Sequence, residues 1–124
     1  MRIFKNKAFN KWAAKEGLTD EALRAAVVEI NSGLIDADLG GHMIKKRVAL
    51  VGRGKSSGAR TLVAYRVEDK AFFVYGFAKN AKSNIRSDEL KGLKLLATQL
   101  LGYSDKELKK AVEKNVLFEV NNDG

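Results

Sequence analysis

The chain contains no cysteine, a single histidine and no long apolar run. Without cysteine there is no disulfide, no thiolate chemistry and no cysteine-ligated metal site, and His42 alone cannot supply the cluster that usually holds zinc, so no metal is expected. That usage is compatible with a reducing cytoplasm, the expected location. The N-terminal Met-Arg-Ile-Phe-Lys-Asn-Lys lacks an apolar stretch of signal-peptide length, and no segment approaches the about 20 apolar residues that cross a bilayer. The expectation is a protein neither exported by that route nor integral to a membrane. Acidic side chains are in deficit too: 23 Lys and Arg against 15 Asp and Glu leave a net charge of +8. A surface potential of that sign favours polyanions, either nucleic acid or an acidic protein.

What is present reads as one domain over residues 1–124. A chain of 124 residues that is 45% hydrophobic and 31% charged can bury a single core. Neither repeats nor a low-complexity tract nor a linker divides it. Arg2 to Phe4 is a short first strand; Asn6 caps a helix burying Phe9, Trp12 and Ala13 and ending at Gly17, and Thr19 caps a second with Ala22, Leu23, Ala26, Val27 and Ile30 at helical spacing. From Leu34 the period switches to two, and Leu34–Leu39, Met43–Leu50, Ala59–Val67 and Ala71–Ala78 read as strands. Ser87 starts a third helix with a Leu90, Leu93, Ala97, Leu100 stripe. Ser104 with Glu107 makes a capping box for a fourth, and Val116 to Val120 is a last short strand or a docking segment. The expected class is α+β: a small, mostly antiparallel sheet with an N-terminal helical hairpin and C-terminal helices, the helices covering one face.

The stretch Val48-Ala-Leu-Val-Gly-Arg-Gly-Lys-Ser-Ser-Gly-Ala-Arg60 invites a nucleotide-loop reading, which its spacing refuses. Counting back from Gly54 puts Ala49 where the first glycine belongs, and Ser57-Gly58 reads as a turn leading into a strand, so no helix N-terminus is there to hold a phosphate. No nucleotide cofactor is expected. The glycines read instead as a hairpin tip carrying Arg53 and Lys55. Alternation in Ile44-Lys-Lys-Arg-Val48 puts Lys45 and Arg47 on one side of the sheet and Ile44, Lys46 and Val48 on the other. With the three strands adjacent in chain order, Lys45, Arg47, Arg60, Lys79 and Lys82 converge on one surface. Strict alternation also gives Phe73, Tyr75 and Phe77 a common face, where an exposed ring could stack on a base, although strand aromatics usually pack. His42, alone at a turn into a strand, reads as a turn residue before an acid–base group.

The element order, with Gly40-Gly-His-Met-Ile-Lys-Lys-Arg47, Gly52-Arg-Gly-Lys-Ser-Ser-Gly-Ala-Arg60 and Phe73-Val-Tyr-Gly-Phe-Ala-Lys-Asn-Ala-Lys-Ser-Asn-Ile85, resembles the RelE/HigB toxins of bacterial type II toxin–antitoxin systems (RelE/ParE superfamily). The likeness is greatest to the HigB-like branch and covers about residues 1–113. It implies a metal-independent mRNA endoribonuclease acting in the ribosomal decoding site, whose partners are a cognate antitoxin, the ribosome and mRNA. On the resemblance, Lys45 and Arg47 match the basic residues before the glycine loop and Arg60 the arginine after it. The chain departs from RelE in carrying Asn80 where RelE has arginine, and Arg86 where RelE has tyrosine. Arg53, Lys55 and Arg86 are then expected to bind RNA.

Cleaving RNA by its own 2′-hydroxyl needs a proton acceptor, neutralisation of the phosphate oxygens and a proton for the departing 5′-oxygen. A lysine among cations can act as base, whereas an arginine stays protonated and suits a phosphate clamp. Lys45 or Lys82 is therefore read as the proton carrier, and Arg47 and Arg60 as the clamp. Two other classes share parts of this pattern: a ParE-type gyrase toxin, which has no use for the cation cluster, and a non-catalytic RNA-binding module, which needs the basic face without its geometry.

Overall fold

In the computed structural model the chain runs β1 (Arg2–Asn6), α1 (Lys7–Glu16), α2 (Asp20–Asn31), β2 (Ala37–Gly40), β3 (Met43–Leu50), β4 (Gly54–Arg66), β5 (Lys70–Ala78), α3 (Ser87–Leu101), α4 (Asp105–Glu113) and β6 (Leu117–Glu119). The structure describes residues 1–50, 54–78 and 85–120, with the backbone alone for 54–57. The expected α+β class is found, with a six-stranded sheet in the order β2-β3-β4-β5-β1-β6. Every pairing is antiparallel except that of β1 with β5. The tail resolves into strand β6, which pairs with β1.

Local chemistry sets the helix starts where the sequence places them. The Asn6 side-chain oxygen accepts from the Phe9 amide at 2.8 Å, while its Nδ2 donates to the Val74 carbonyl at 3.1 Å and so ties the start of α1 to β5. Thr19 caps α2 through the Ala22 amide at 3.2 Å. At α4 the Ser104 amide donates to Glu107 at 2.8 Å and the Glu107 amide returns a bond to the serine hydroxyl at 3.1 Å. Each cap satisfies amides that the first helical turn leaves without intrahelical partners.

Helices cover both faces of the sheet, not one. Ile3, Ile44, Val48, Val63 and Phe73 pack with Phe9, Leu23, Val27 and Ile30 of α1 and α2. On the opposite face Phe4, Met43, Leu62, Phe72 and Val74 pack with Ala97, Leu100 and Leu108 of α3 and α4. The neighbours Phe72 and Phe73 are each 0% exposed, and successive strand residues point to opposite faces, so both faces must be roofed there. At the far end of β4 from Arg60, Arg66 donates to the Leu101 carbonyl at 3.1 Å and fixes the C-terminal end of α3.

Two irregularities shape the end of the sheet that carries the cations. Between β4 and β5 the register shifts from Leu62↔Tyr75 to Val63↔Phe73, leaving Val74 as an extra residue. This bulge reverses the alternation: Phe73 faces α1, while Tyr75 and Phe77 turn to the other face. The expectation that the three aromatics share one face is thereby corrected. Between β3 and β4 the register also breaks, from Val48↔Ala59 to Leu50↔Gly54. β4 continues through Ser57-Gly58, where the sequence suggests a turn, and a Cβ at Gly58 would come within 2.3 Å of the Val48 carbonyl oxygen. Glycine is needed there for close backbone approach.

Candidate functional site

The alternation read in β3 is observed. Ile44 and Val48 enter the core beneath α2. Lys46, on the same side and 4% exposed, is buried, its Nζ donating to the Leu34 carbonyl at 2.8 Å and lying 2.7 Å from Glu29 Oε1. Lys45 and Arg47 face the other way. Since β3, β4 and β5 are neighbours, the register sets Lys45 opposite Leu62, which is opposite Tyr75, and Arg47 opposite Arg60, which is opposite Phe77. Arg47, Arg60 and Phe77 thus make one row across the sheet, with Lys45, Leu62 and Tyr75 beside it. Directly paired residues of antiparallel strands have Cβ atoms about 4.5–5.5 Å apart.

Two arginines in one cross-strand pair is an unfavourable arrangement in the absence of an anion, because like charges directly opposite repel. Arg60 adds to the demand. The residue is half-buried, and its Nη1 is fully buried with no hydrogen-bond partner among the described residues. A guanidinium keeps its proton and carries only donors, so an acceptor oxygen is what this nitrogen lacks. Arg47 is held from the side: its Nε lies 3.3 Å from Asp36 Oδ1 and 3.2 Å from Oδ2. Tyr75, half-buried, and Phe77, buried, lie with ring centroids 6.0 Å apart at an interplanar angle of 51°. Of the four aromatic residues of β5, Phe72 and Phe73 are sealed in the two cores and Phe77 is buried, so Tyr75 is the ring with surface to offer a base.

Lys79, Lys82 and Arg53 lie outside the described residues, as does the side chain of Lys55, whose backbone belongs to β4. The Gly54-Lys55-Ser56 stretch thus opens a strand and not a helix. Arg86 is the residue before α3, and its guanidinium is engaged by Asp88, with Nη2 at 2.6 Å and Nε at 3.1 Å. That hydrogen bond raises its pKa further above the ordinary arginine value. His42 is exposed in the turn before β3 with φ of 63°, and its carbonyl accepts from the Tyr65 amide at 2.9 Å. A groove of about 520 Å³ lined by Ile30, Ile35, His42, Ile44, Tyr65 and Val67 opens on the α2 side, away from the arginine row. Asp36 is the residue that sequence reasoning missed. It precedes β2, and only the pairing of β2 with β3 brings it beside Arg47.

Comparison with protein-family models finds a match over residues 1–120 to the family described as RelE toxin of the RelE/RelB toxin–antitoxin system. The chain belongs to the RelE toxin family. Comparison with curated proteins gives no match. A RelE-family chain is a toxin of a toxin–antitoxin pair, and its implied partner is an antitoxin. The family match extends through β6, beyond the stretch that carries the sequence motifs. Within this RelE-family chain the arginine pair lies where β3 and β4 both enter the irregular end of the sheet. Among the described residues no helix is long and apolar enough to cross a membrane, and no cluster of histidine, aspartate and glutamate is placed to hold a metal.

Proposed function

We propose that this RelE-family toxin, of the HigB-like branch, is a ribosome-dependent mRNA endoribonuclease. The observation that carries the reading is the Arg47–Arg60 pair with the buried, unsatisfied Nη1 of Arg60. A phosphodiester supplies what that pair lacks: one negative charge and several acceptor oxygens within a single group. In the step, the 2′-hydroxyl oxygen of one nucleotide attacks the adjacent phosphorus. Its proton passes to a base, the P–O5′ bond breaks, and a proton is delivered to the departing 5′-oxygen, leaving a cyclic phosphate and a free 5′-hydroxyl. Arg47 and Arg60 bind the phosphate oxygens on which charge builds, a contribution that grows as the transition state forms. Lys45, on the same face two positions from Arg47, or Lys82 carries the proton. Lys79 adds to the cationic face, Tyr75 offers a ring to a neighbouring base, and Arg53, Lys55 and Arg86 hold the flanking RNA backbone.

The test is single-turnover cleavage of mRNA on programmed ribosomes across pH, with a thermal melt of each variant. Arg60→Ala is expected to lose about 100- to 1,000-fold in rate, as for removal of one preorganised contact to developing charge. Arg60→Lys recovers little, since an ammonium does not reproduce a two-pronged guanidinium contact. Lys45→Ala or Lys82→Ala, whichever removes the proton carrier, also reshapes the pH–rate profile, which Arg60→Ala leaves alone. Near wild-type rates for folded Arg60→Ala, Arg47→Ala and Lys45→Ala together would remove the nuclease mechanism. Gyrase damage with intact mRNA would replace it by the ParE-type reading, and RNA binding without cleavage by a binding module.

A further inference from the structure

The segment before β2 is fastened to three consecutive residues of β3 by three different kinds of contact. The Asp36 amide donates to the Lys45 carbonyl at 2.9 Å. The buried ammonium of Lys46 takes the Leu34 carbonyl at 2.8 Å and Glu29 of α2 at 2.7 Å. On the opposite face of β3, the Asp36 carboxylate takes Nε of Arg47. Asp36 has a side chain 22% exposed, whereas that of Arg47 is 45% exposed. An arginine that exposed, facing a second arginine across the strand pair, would otherwise swing into water, away from its like-charged neighbour and toward more rotamer freedom.

We propose that Asp36 is a positioning residue whose carboxylate, anchored through the Lys45 and Lys46 contacts, holds the Arg47 guanidinium in one orientation on the sheet face it shares with Arg60, so that the two can grip one phosphate. This rests on the reading of the pair as the phosphate site. The carboxylate engages Arg47 through Nε, so it orients the guanidinium plane and offsets the repulsion between the two arginines at once. A charged partner in this geometry forms hydrogen bonds stronger than neutral ones, which is why orientation here depends on the charge of Asp36 and not only on its shape. Asp36 touches no substrate in this scheme. It acts through Arg47.

Two variants and two measurements test it. In single-turnover cleavage on programmed ribosomes, Asp36→Ala is expected to slow the saturated rate by about 10- to 100-fold, the scale on which a displacement near 1 Å costs rate. The ribosome concentration giving half-maximal rate should change little. Asp36→Asn, which keeps an acceptor oxygen and loses the charge, should fall between Asp36→Ala and wild type, and in an Arg47→Ala background Asp36→Ala should cost nothing further. The second measurement is the NMR signal of Arg47 Nε–H, assigned by its loss in Arg47→Ala. It is expected to be protected from solvent exchange in the free wild-type protein and to lose that protection in Asp36→Asn. Equal saturated rates for folded Asp36→Ala and wild type would overturn the proposal, as would a rate increase or an additional loss on top of Arg47→Ala. If the wild type cuts no mRNA, the nuclease reading fails by itself and the Nε–H signal decides the positioning: unchanged protection in Asp36→Asn overturns it, and lost protection upholds it.

Discussion

Gly58 and Gly76 both stand where a single methyl group would collide with something, and the identity of that neighbour decides the outcome. A Cβ at Gly58 would meet the backbone oxygen of Val48 at 2.3 Å, whereas a Cβ at Gly76 would meet ring carbons of Trp12 at 2.3 to 2.7 Å. Backbone in a paired strand cannot step aside without breaking its ladder, but a half-buried indole can turn. Gly58→Ala is therefore expected to destabilise the protein by about 1–3 kcal/mol, the usual scale of overpacking, which outweighs the about 0.4–1 kcal/mol that alanine contributes by restricting the unfolded chain. Gly76→Ala should cost less and be largely rescued by Trp12→Leu, while Gly58→Ala should not. Urea denaturation of the three single variants and of each glycine variant combined with Trp12→Leu checks this; rescue of Gly58→Ala by Trp12→Leu would contradict it. The same residue-scale logic separates three adjacent cations. Lys45, Lys46 and Arg47 are similar in sequence, yet Lys46 is buried against Glu29 while Arg47 lies in the row with Arg60 and Lys45 beside it.

At the scale of elements, β3 is the strand that joins the α1 and α2 core to the proposed phosphate site. Its even-numbered residues enter the α1 and α2 core, and its odd-numbered residues carry Lys45 and Arg47. Lys46 is the fastener between α2, the segment before β2 and β3. Lys46→Met keeps most of the apolar stem and removes the ammonium, leaving the Leu34 carbonyl without that donor and Glu29 without that cation. The expected loss is about 1–3 kcal/mol, toward the lower end because Glu29 is 30% exposed and keeps much of its hydration. The loosened segment should also carry Asp36 with it, so Lys46→Met should reproduce, more weakly, the fall in saturated rate expected of Asp36→Ala. Chemical denaturation and single-turnover cleavage of the same preparation test both parts. Full stability with a full rate would show that Lys46 fastens nothing of consequence. The bulge at Val74 acts at this scale as well, since without it Tyr75 and Phe77 would point at α1 and not along the row with Lys45 and Arg60.

For the whole molecule, the charge of +8 concerns encounter more than fold. A toxin must be captured quickly by its antitoxin, and opposite net charge raises the association rate without requiring extra contacts. Association with an acidic antitoxin is expected to slow by about ten-fold or more between low and high salt, with little change in the dissociation rate. Stopped-flow measurement of both rates across a salt series checks it, and an association rate indifferent to salt would show that the net charge does not steer antitoxin capture.

Much of this was legible locally. Helix starts at Asn6, Thr19 and Ser104 depend on side chains that reach amides within the next turn, and the opposite faces of Lys45 and Lys46 depend on a period of two; both are short-range effects that a sequence carries by itself. The place of β1 between β5 and β6, the roofing of both sheet faces, the phase reversal at Val74 and the contact between Asp36 and Arg47 were not legible. Each depends on which distant segment pairs with which and in what register, and a shift of one residue reverses every side chain on a strand. The sequence by itself determined that a basic strand exists and which of its cations share a face. Only the tertiary structure decided that Arg60 stands directly opposite Arg47, because that requires two strands to meet in one register, and that register places their apolar residues in the two cores.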